Sequence, residues 1–320
     1  MEVLLTAKQN QDSANKDLVT VDLVQLKKRQ LMNQVFSVLG LLTLLFSILV
    51  LLALIWDLAS TGAPRITKEF FMQFPSRIPG KAGILSAWVG SFCVMIVTAL
   101  CAIPLGIGAG VYLEEYARKN WFTHLIELNI INLAGVPSII FGLMSLGFFV
   151  QKLNFGQSLL TAGLTLGLMV LPIVIVTARE AIRSIPNSIR EASFALGASR
   201  WQTIKHHVLP YSSGGILTGV IISLSRAIGE TAPLITIGAV TFIAFLPTSP
   251  VSVVWPFINF QWLKDPFTVM PIQMFNWISK PESEFHVNAA ATGIVLLGMT
   301  LLMNIVAIFI RYRFRAKMKW

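Results

Sequence analysis

Glu191-Ala192-Ser193-Phe194-Ala195-Leu196-Gly197, continuing through Ser199 to Leu209-Pro210, is a polar, helix-punctuated insert between two apolar runs. Gly197 supplies a left-handed helix end and Pro186 suits a first helical turn, so a short helix is expected over 187–196. Ser199 with Gln202 three residues on is a capping-box pattern that starts a second helix, which Pro210 is expected to stop. Ile189, Ser193 and Leu196 fall on one face of the first helix, with Ala192 beside them. Small residues there let the groove of a partner close over the helix backbone; the plainer reading is an amphipathic loop helix.

The runs on either side set the environment. Of 320 residues, 55% are hydrophobic and 12% charged, with mean hydropathy +0.71. Soluble domains carry about 25% charge, so this chain belongs in lipid. Apolar runs at 35–56, 84–112, 128–150, 158–177, 211–245 and 287–310 are long enough to cross a hydrocarbon core of about 30 Å. They read as an all-α integral membrane fold with six transmembrane helices. Pro104, Pro137 and Pro172 interrupt three of them. The fifth is too long for one simple crossing and contains charge.

Charge asymmetry orients the spans. With both termini cytoplasmic, 17 of the 25 Lys and Arg face the cytoplasm and 7 lie outside, with Arg226 in the membrane. The expected layout is a cytoplasmic tail at 1–34, an accessory first helix at 35–56, a transmembrane domain at 84–310 and a basic cytoplasmic tail at 311–320. Within it, 178–210 is a cytoplasmic loop, and 57–83 and 247–286 are external, the latter with interfacial aromatics. The first 34 residues lack the apolar core of a signal peptide, and Leu23 and Leu26 suit a short interfacial helix. The basic tail anchors that end and can touch anionic lipid.

Several chemistries are excluded. The net charge of +10 has no soluble basic face that would hold nucleic acid. Cys93 and Cys101 on one helix stand roughly 12 Å apart, too far for a disulfide. His206 and His207 are adjacent and diverge, so no metal site is expected. No Gly-x-x-x-x-Gly-Lys-Ser/Thr loop is present and no residues suggest catalysis, so the chain is not expected to be an enzyme or to hydrolyse ATP itself.

One charged pair lies inside an apolar span, in Ser225-Arg226-Ala227-Ile228-Gly229-Glu230-Thr231-Ala232-Pro233. If the helix enters lipid near Gly214, Arg226 is roughly 15 Å deep, close to the bilayer midplane. A charge there costs about 2.5–3.5 kcal/mol and needs a partner or a hydrated path. Glu230, four residues on, faces the same way. Gly229 and Pro233 invite a helix break at that depth. Two readings stay open: a self-neutralising pair that locks helices, or a guanidinium offered to a passing oxyanion with Glu230 preventing over-tight binding.

Two resemblances bear on these stretches. The first insert resembles the Glu-Ala-Ala loop of ATP-binding-cassette importer permeases, with Ser193 for the third Ala and His207 where Ile is usual. In that family the loop docks into a cytoplasmic ATPase, which would make Asn187, Ile189, Glu191, Ala192, Ser193, Leu196 and Gly197 docking residues. The second stretch resembles the Arg-Ala-Ile-Gly-Glu-Thr-Ala-Pro segment of phosphate-specific importer permeases of the PstA type. That resemblance implies a type I (MetI-like) permease of a bacterial inner membrane, with inorganic phosphate passing Arg226 and Glu230. It also implies a homologous second permease (PstC type), two ATPase subunits (PstB type) that hold ATP and Mg, and an external phosphate-binding protein (PstS type). Residue spacing alone implies only an anion, so sulfate or molybdate, a secondary transporter or channel, and a non-transporting scaffold or signalling subunit remain alternatives.

Overall fold

The computed structural model describes residues 2–240, 242–249 and 259–316, with side chains over 25–240, 242–249 and 259–313. Every regular element among them is helical. The chain divides into two compact units, Met1–Asp57 and Leu58–Trp320. The first is a single rod, part of helix α1 (Glu2–Gly62). The helix expected at 35–56 is therefore the middle of a longer one. Its apolar stretch presents Leu, Phe, Ile and Val on every face, the composition of a helix that spans lipid.

The second unit contains the remaining helices. Five segments of the chain are long and apolar enough to cross a membrane: Gln25–Arg65, Leu85–Tyr116, Leu159–Arg183, Arg200–Ile228 and Ser283–Arg313. A sixth is broken. Helices α4 (Trp121–Ala134) and α5 (Ser138–Ser145), the latter prolonged by a wide turn to Lys152, meet at 104°. The sequence predicts one span over 128–150; Pro137 ends it instead. A proline disfavours helical backbone in the residue before it and has no N–H to continue the ladder, so Gly135 and Val136 form the elbow.

Helices α3 (Leu85–Val111) and α6 (Leu159–Arg183) form the tightest pair. A Cβ on Gly110 would lie 2.9 Å from that of Ala178, and one on Gly106 would meet Val174. Backbones approach this closely only over small residues, which is how helices associate where lipid removes the hydrophobic drive. Pro104 and Pro172 are both accommodated inside these helices. Helix α9 (Leu209–Ile228) joins α6 in the same way, Gly215 facing Ala181 and Gly219 facing Thr177. Helix α12 (Ser283–Ala316) is tied to α9 by Arg311 Nη1 donating to Thr218 Oγ1 at 2.8 Å and Ser225 Oγ donating to Asn304 Oδ1 at 2.5 Å. Of the expected basic tail, Arg311 and Arg313 are described; the side chain of Arg315, and Lys317 and Lys319, lie outside the described residues.

The segments expected as external loops are folded. Between 63 and 83 the chain makes helix α2 (Lys68–Met72), capped by Thr67 accepting from Phe70 N. Arg65 organises this end: Nε donates to Asn288 Oδ1 at 2.8 Å, and Nη2 to the carbonyls of Gly80 (2.7 Å) and Ala82 (3.0 Å). Its guanidinium also sits 5.4 Å from the Phe70 ring centre. Helix α11 (Met270–Ile278) carries Trp277, which is 1% exposed and lies between Phe70 (6.2 Å) and Phe285 (6.5 Å). This tryptophan was expected at an interface, but it fills a core of Phe70, Ile84, Met270 and Phe285. Composition cannot distinguish the two, because both suit a large amphipathic ring. Arg65→Ala removes hydrogen bonds of the charged kind, worth about 1.5–3 kcal/mol each. It is expected to lower the melting temperature of the purified protein by several degrees, read by thermal shift.

Candidate functional site

The insert that opens the sequence folds as two short helices in a hairpin. Helix α7 (Asn187–Ala195) begins immediately after Pro186, which sits just outside the first turn rather than within it. It ends through Gly197 at φ +84°, a left-handed conformation that costs an L side chain roughly 1–2 kcal/mol. Helix α8 (Arg200–Thr203) starts with both halves of the capping box: Ser199 N donates to Gln202 Oε1 at 2.8 Å, and Gln202 N to Ser199 Oγ at 3.3 Å.

Pro210 does not stop that second helix. The backbone runs on through a wider, π-type turn at Ile204–Val208 into α9, placing Pro210 in the first turn of α9. In that first-turn position no intrahelical N–H is required of the proline, so the helix continues to Ile228. Ile204 and Val208 are fully buried against Ala178 and Ile182, while His207 is exposed. An isoleucine is therefore not needed at position 207 to seat this helix.

The faces of α7 differ from those expected. Ser193 is buried at 5% exposure, its hydroxyl 2.9 Å from that of Thr203, and so pins α7 to α8. Leu196, assigned to the same face, is 90% exposed. Three residues are 300° apart on an α-helix, and the last turn opens toward Gly197, which swings Leu196 outward. Glu191, Ala192 and Ala195 are exposed, as are Phe194 and Trp201; Asn187 is exposed and Ile189 half-buried. The hairpin thus displays Phe194, Leu196 and Trp201 beside one acid, Glu191.

Beneath the hairpin lies an ionic network. A five-residue π-type turn, Tyr112–Tyr116, extends α3 and carries Glu114 and Glu115. Arg179 Nε meets Glu114 Oε2 at 3.0 Å and its Nη2 meets Glu127 Oε1 at 2.7 Å; Arg190 Nη2 meets Glu115 Oε1 at 2.7 Å. Glu114, Glu127, Arg179, Arg183, Lys119 and His124 help line a cavity of about 430 Å³. Two adjacent acids at the end of an apolar span, with Arg179 and Arg183 on one helix face, were the available signal. Which acid meets which base depended on the fold.

The second site is the break after α9. The helix ends at Ile228, Gly229 and Glu230 close it with bonds to the carbonyls of Arg226 and Ala227, and α10 (Ala232–Ile237) starts with Pro233 in its first turn. This is the break expected from Gly229 and Pro233. Arg226 occupies the last turn of α9, where the helix dipole favours a cation. Its Nε contacts Glu230 Oε1 at 3.3 Å, with the arginine side chain 45% and the glutamate 20% exposed. Among the described residues, neither Nη group of Arg226 has a hydrogen-bond partner. The pair therefore exists, but it engages one edge of the guanidinium and leaves the two-pronged end available.

Helix α10 rests on α5 at Gly142, where a Cβ would collide with Thr236 Oγ1 and come within 2.7 Å of Pro233 Cα. Ala227, Ile228 and Leu234, at the ends of the two helices, are buried in one core with Met95, Phe141 and Leu166. The break is held by packing on both flanks. Gly142→Val is expected to displace α10 and destabilise the protein by about 1–3 kcal/mol, the usual cost of overpacking, measured as a fall in melting temperature.

Comparison with known proteins matches residues 102–320 to the sequence profile described as binding-protein-dependent transport system inner membrane component. The chain is 31% identical to the phosphate transport system permease protein PstA of Yersinia pestis, covering 87% of this chain and 90% of that one. It is 32% identical to the probable ABC transporter permease protein YqgI of Bacillus subtilis, covering 77% and 83%. Among solved structures it is similar in fold to an inward-facing MetNI methionine ABC transporter chain, with TM-score 0.54 at 15% identity over 70% of this chain and 93% of that chain. A bacterial ABC transporter involved in alginate import gives TM-score 0.53 at 14% identity over 84% and 95%. A chain whose described elements are all helical, with helices long and apolar enough to cross a membrane, and whose sequence matches that profile over two thirds of its length, belongs to the family of binding-protein-dependent transport system inner membrane components.

Proposed function

We propose that this chain is the transmembrane permease subunit of an ATP-driven importer of inorganic phosphate in a bacterial inner membrane. The observation that carries the substrate is Arg226, half-exposed at a helix break and held by Glu230 through Nε alone. A planar guanidinium whose two Nη groups have no hydrogen-bond partner among the described residues matches the oxygens of a tetrahedral oxyanion, and its charge persists at any physiological pH. The PstA relatives support phosphate as that anion. Glu230 keeps the arginine oriented and repels the anion enough for it to leave.

Energy comes from outside the chain. A PstB-type ATPase, present in two copies with ATP and Mg, grips the exposed face of α7 around Glu191 and Leu196. A homologous PstC-type permease completes the pathway, and a PstS-type protein delivers phosphate to the opposite end. Both termini and the α7–α8 hairpin face the cytoplasm. ATPase closure pushes the hairpin, and the helices rock to expose Arg226 to alternate sides.

Reconstitution of the four components in liposomes tests this. ATP with the loaded binding protein drives labelled phosphate inward, and omitting the ATPase abolishes uptake. Phosphate flux through this chain alone would establish a secondary transporter or channel instead, and preferred uptake of sulfate or molybdate would reassign the substrate.

A further inference from the structure

Arg190 belongs to α7, yet its side chain turns away from the exposed face and is only 14% accessible. Nε and Nη2 both donate to Glu115 Oε1, at 3.0 and 2.7 Å, and Nη2 also donates to the carbonyl of Ile182 at 3.0 Å. Nη1 donates to the carbonyl of Ile185 at 2.7 Å and to Asn187 Oδ1 at 3.3 Å. One guanidinium thus binds the turn that ends α3, a carbonyl in the last turn of α6, the linker after it and the start of α7. Glu115 is 10% accessible, so this contact is among the least solvated ion pairs of the described residues.

The neighbouring acid is held separately. Glu114 accepts from Arg179 of α6, which also bridges to Glu127 of α4. Successive residues on a helical turn point about 100° apart, so Glu114 and Glu115 anchor the end of α3 in two directions.

We infer that Arg190 and Glu115 are a positioning pair, the joint through which displacement of the α7–α8 hairpin is handed to α3 and α6. This rests on the permease reading above. A nine-residue helix held only by its flanking turns and, along one edge, by the Ser193–Thr203 contact to α8 can still swivel about that edge when pushed, and part of the push is lost locally. Arg190 removes that freedom by tying the helix to α3 and α6, which are themselves locked by their glycine contacts. Helix α9, which carries Arg226, packs on α6 through Gly215 and Gly219. Beside the direct run of α8 into α9, a second stiff path therefore leads from α7 through Arg190–Glu115 into the α3–α6 block and on to α9, and the joint stays closed throughout the transport cycle. A claim of coupling requires a test that structural glue does not pass.

That test uses the complete assembly in proteoliposomes and reads phosphate moved per ATP hydrolysed. With Glu115→Gln the ATPase still co-purifies, while the ratio falls roughly 2–30-fold, the range for residues along a coupling path. In a Cys93→Ser/Cys101→Ser background, Glu115→Cys/Arg190→Cys shows the same loss, and linking the two thiols with a short bifunctional reagent restores the ratio. An unchanged ratio in Glu115→Gln overturns the inference. So does a linked protein that stalls while the unlinked one transports, since the joint would then have to open. Loss of ATPase association in Glu115→Gln overturns it too, because the pair would only shape the docking face. If the unaltered assembly hydrolyses ATP yet imports no phosphate, the permease reading fails, a result distinct from all three.

Discussion

Arg226→Gln leaves the assembly intact and lowers phosphate uptake by roughly 10–100-fold, the loss expected when hydrogen bonds to a charged group are removed. The expectation follows from how the residue is held. Its one contact to Glu230 uses Nε at 3.3 Å, and it is 45% exposed, so the fold gains little from it. Its flanking residues Ala227 and Ile228 are buried and set the helix end without the charge. Gln keeps much of the length and some hydrogen-bonding capacity but loses the cation. Arg226→Lys should fall between the two, since an ammonium keeps the charge and loses the planar fork. Glu230→Gln should act in the other sense on binding, retaining the anion longer and slowing release. The measurement is initial uptake in proteoliposomes at saturating binding protein, with co-purified ATPase as the check on assembly. Unchanged uptake in Arg226→Gln would reduce the pair to a structural lock.

Leu196→Asp abolishes co-purification of the ATPase while membrane insertion and melting temperature stay as in the unaltered protein. At 90% exposure Leu196 contributes almost nothing to its own fold, so its effect can be felt only by a partner. An apolar anchor at the centre of an interface typically carries 2–4 kcal/mol, and burying an unpaired carboxylate in its place adds to the loss. Affinity should fall by roughly 30–1000-fold. Glu191→Lys is expected to do the same by reversing the one acid on that face. Gly197→Asp works differently: at φ +84° it strains the turn that aims Leu196 outward. Ser193→Ala provides the contrast, because its hydroxyl is 2.9 Å from that of Thr203 inside the hairpin. It should cost about 1 kcal/mol of stability and leave docking nearly unchanged. Retention of the ATPase by both Leu196→Asp and Glu191→Lys would move the docking face elsewhere.

Local chemistry made much of this protein legible from its residues. Hydropathy located the lipid-crossing runs because a backbone in hydrocarbon must bond to itself within one segment, so each span is written contiguously. Gly197, the Ser199–Gln202 box and the Gly229–Pro233 break are equally local, each depending on a few neighbouring dihedrals. The pairing of Arg226 with Glu230 needed only the helical repeat.

What required the tertiary structure were the relations between segments distant in the chain. That Pro137 interrupts the span was local, but the 104° between its two halves is a relation between helices, the second of which packs at Gly142 on Pro233 and Thr236 of α10. Whether Pro210 ends a helix depended on Ile204 and Val208 finding a core beneath them. Ser193 turned inward because Thr203 was there to meet it, and Trp277 became core because Phe70 and Phe285 flank it. Glu115 and Arg190 lie 75 residues apart, and no periodicity links them. Short-range dihedral and hydration energies act on each segment separately and are written in its own residues, whereas a side chain's partner is chosen by the simultaneous packing of all the helices.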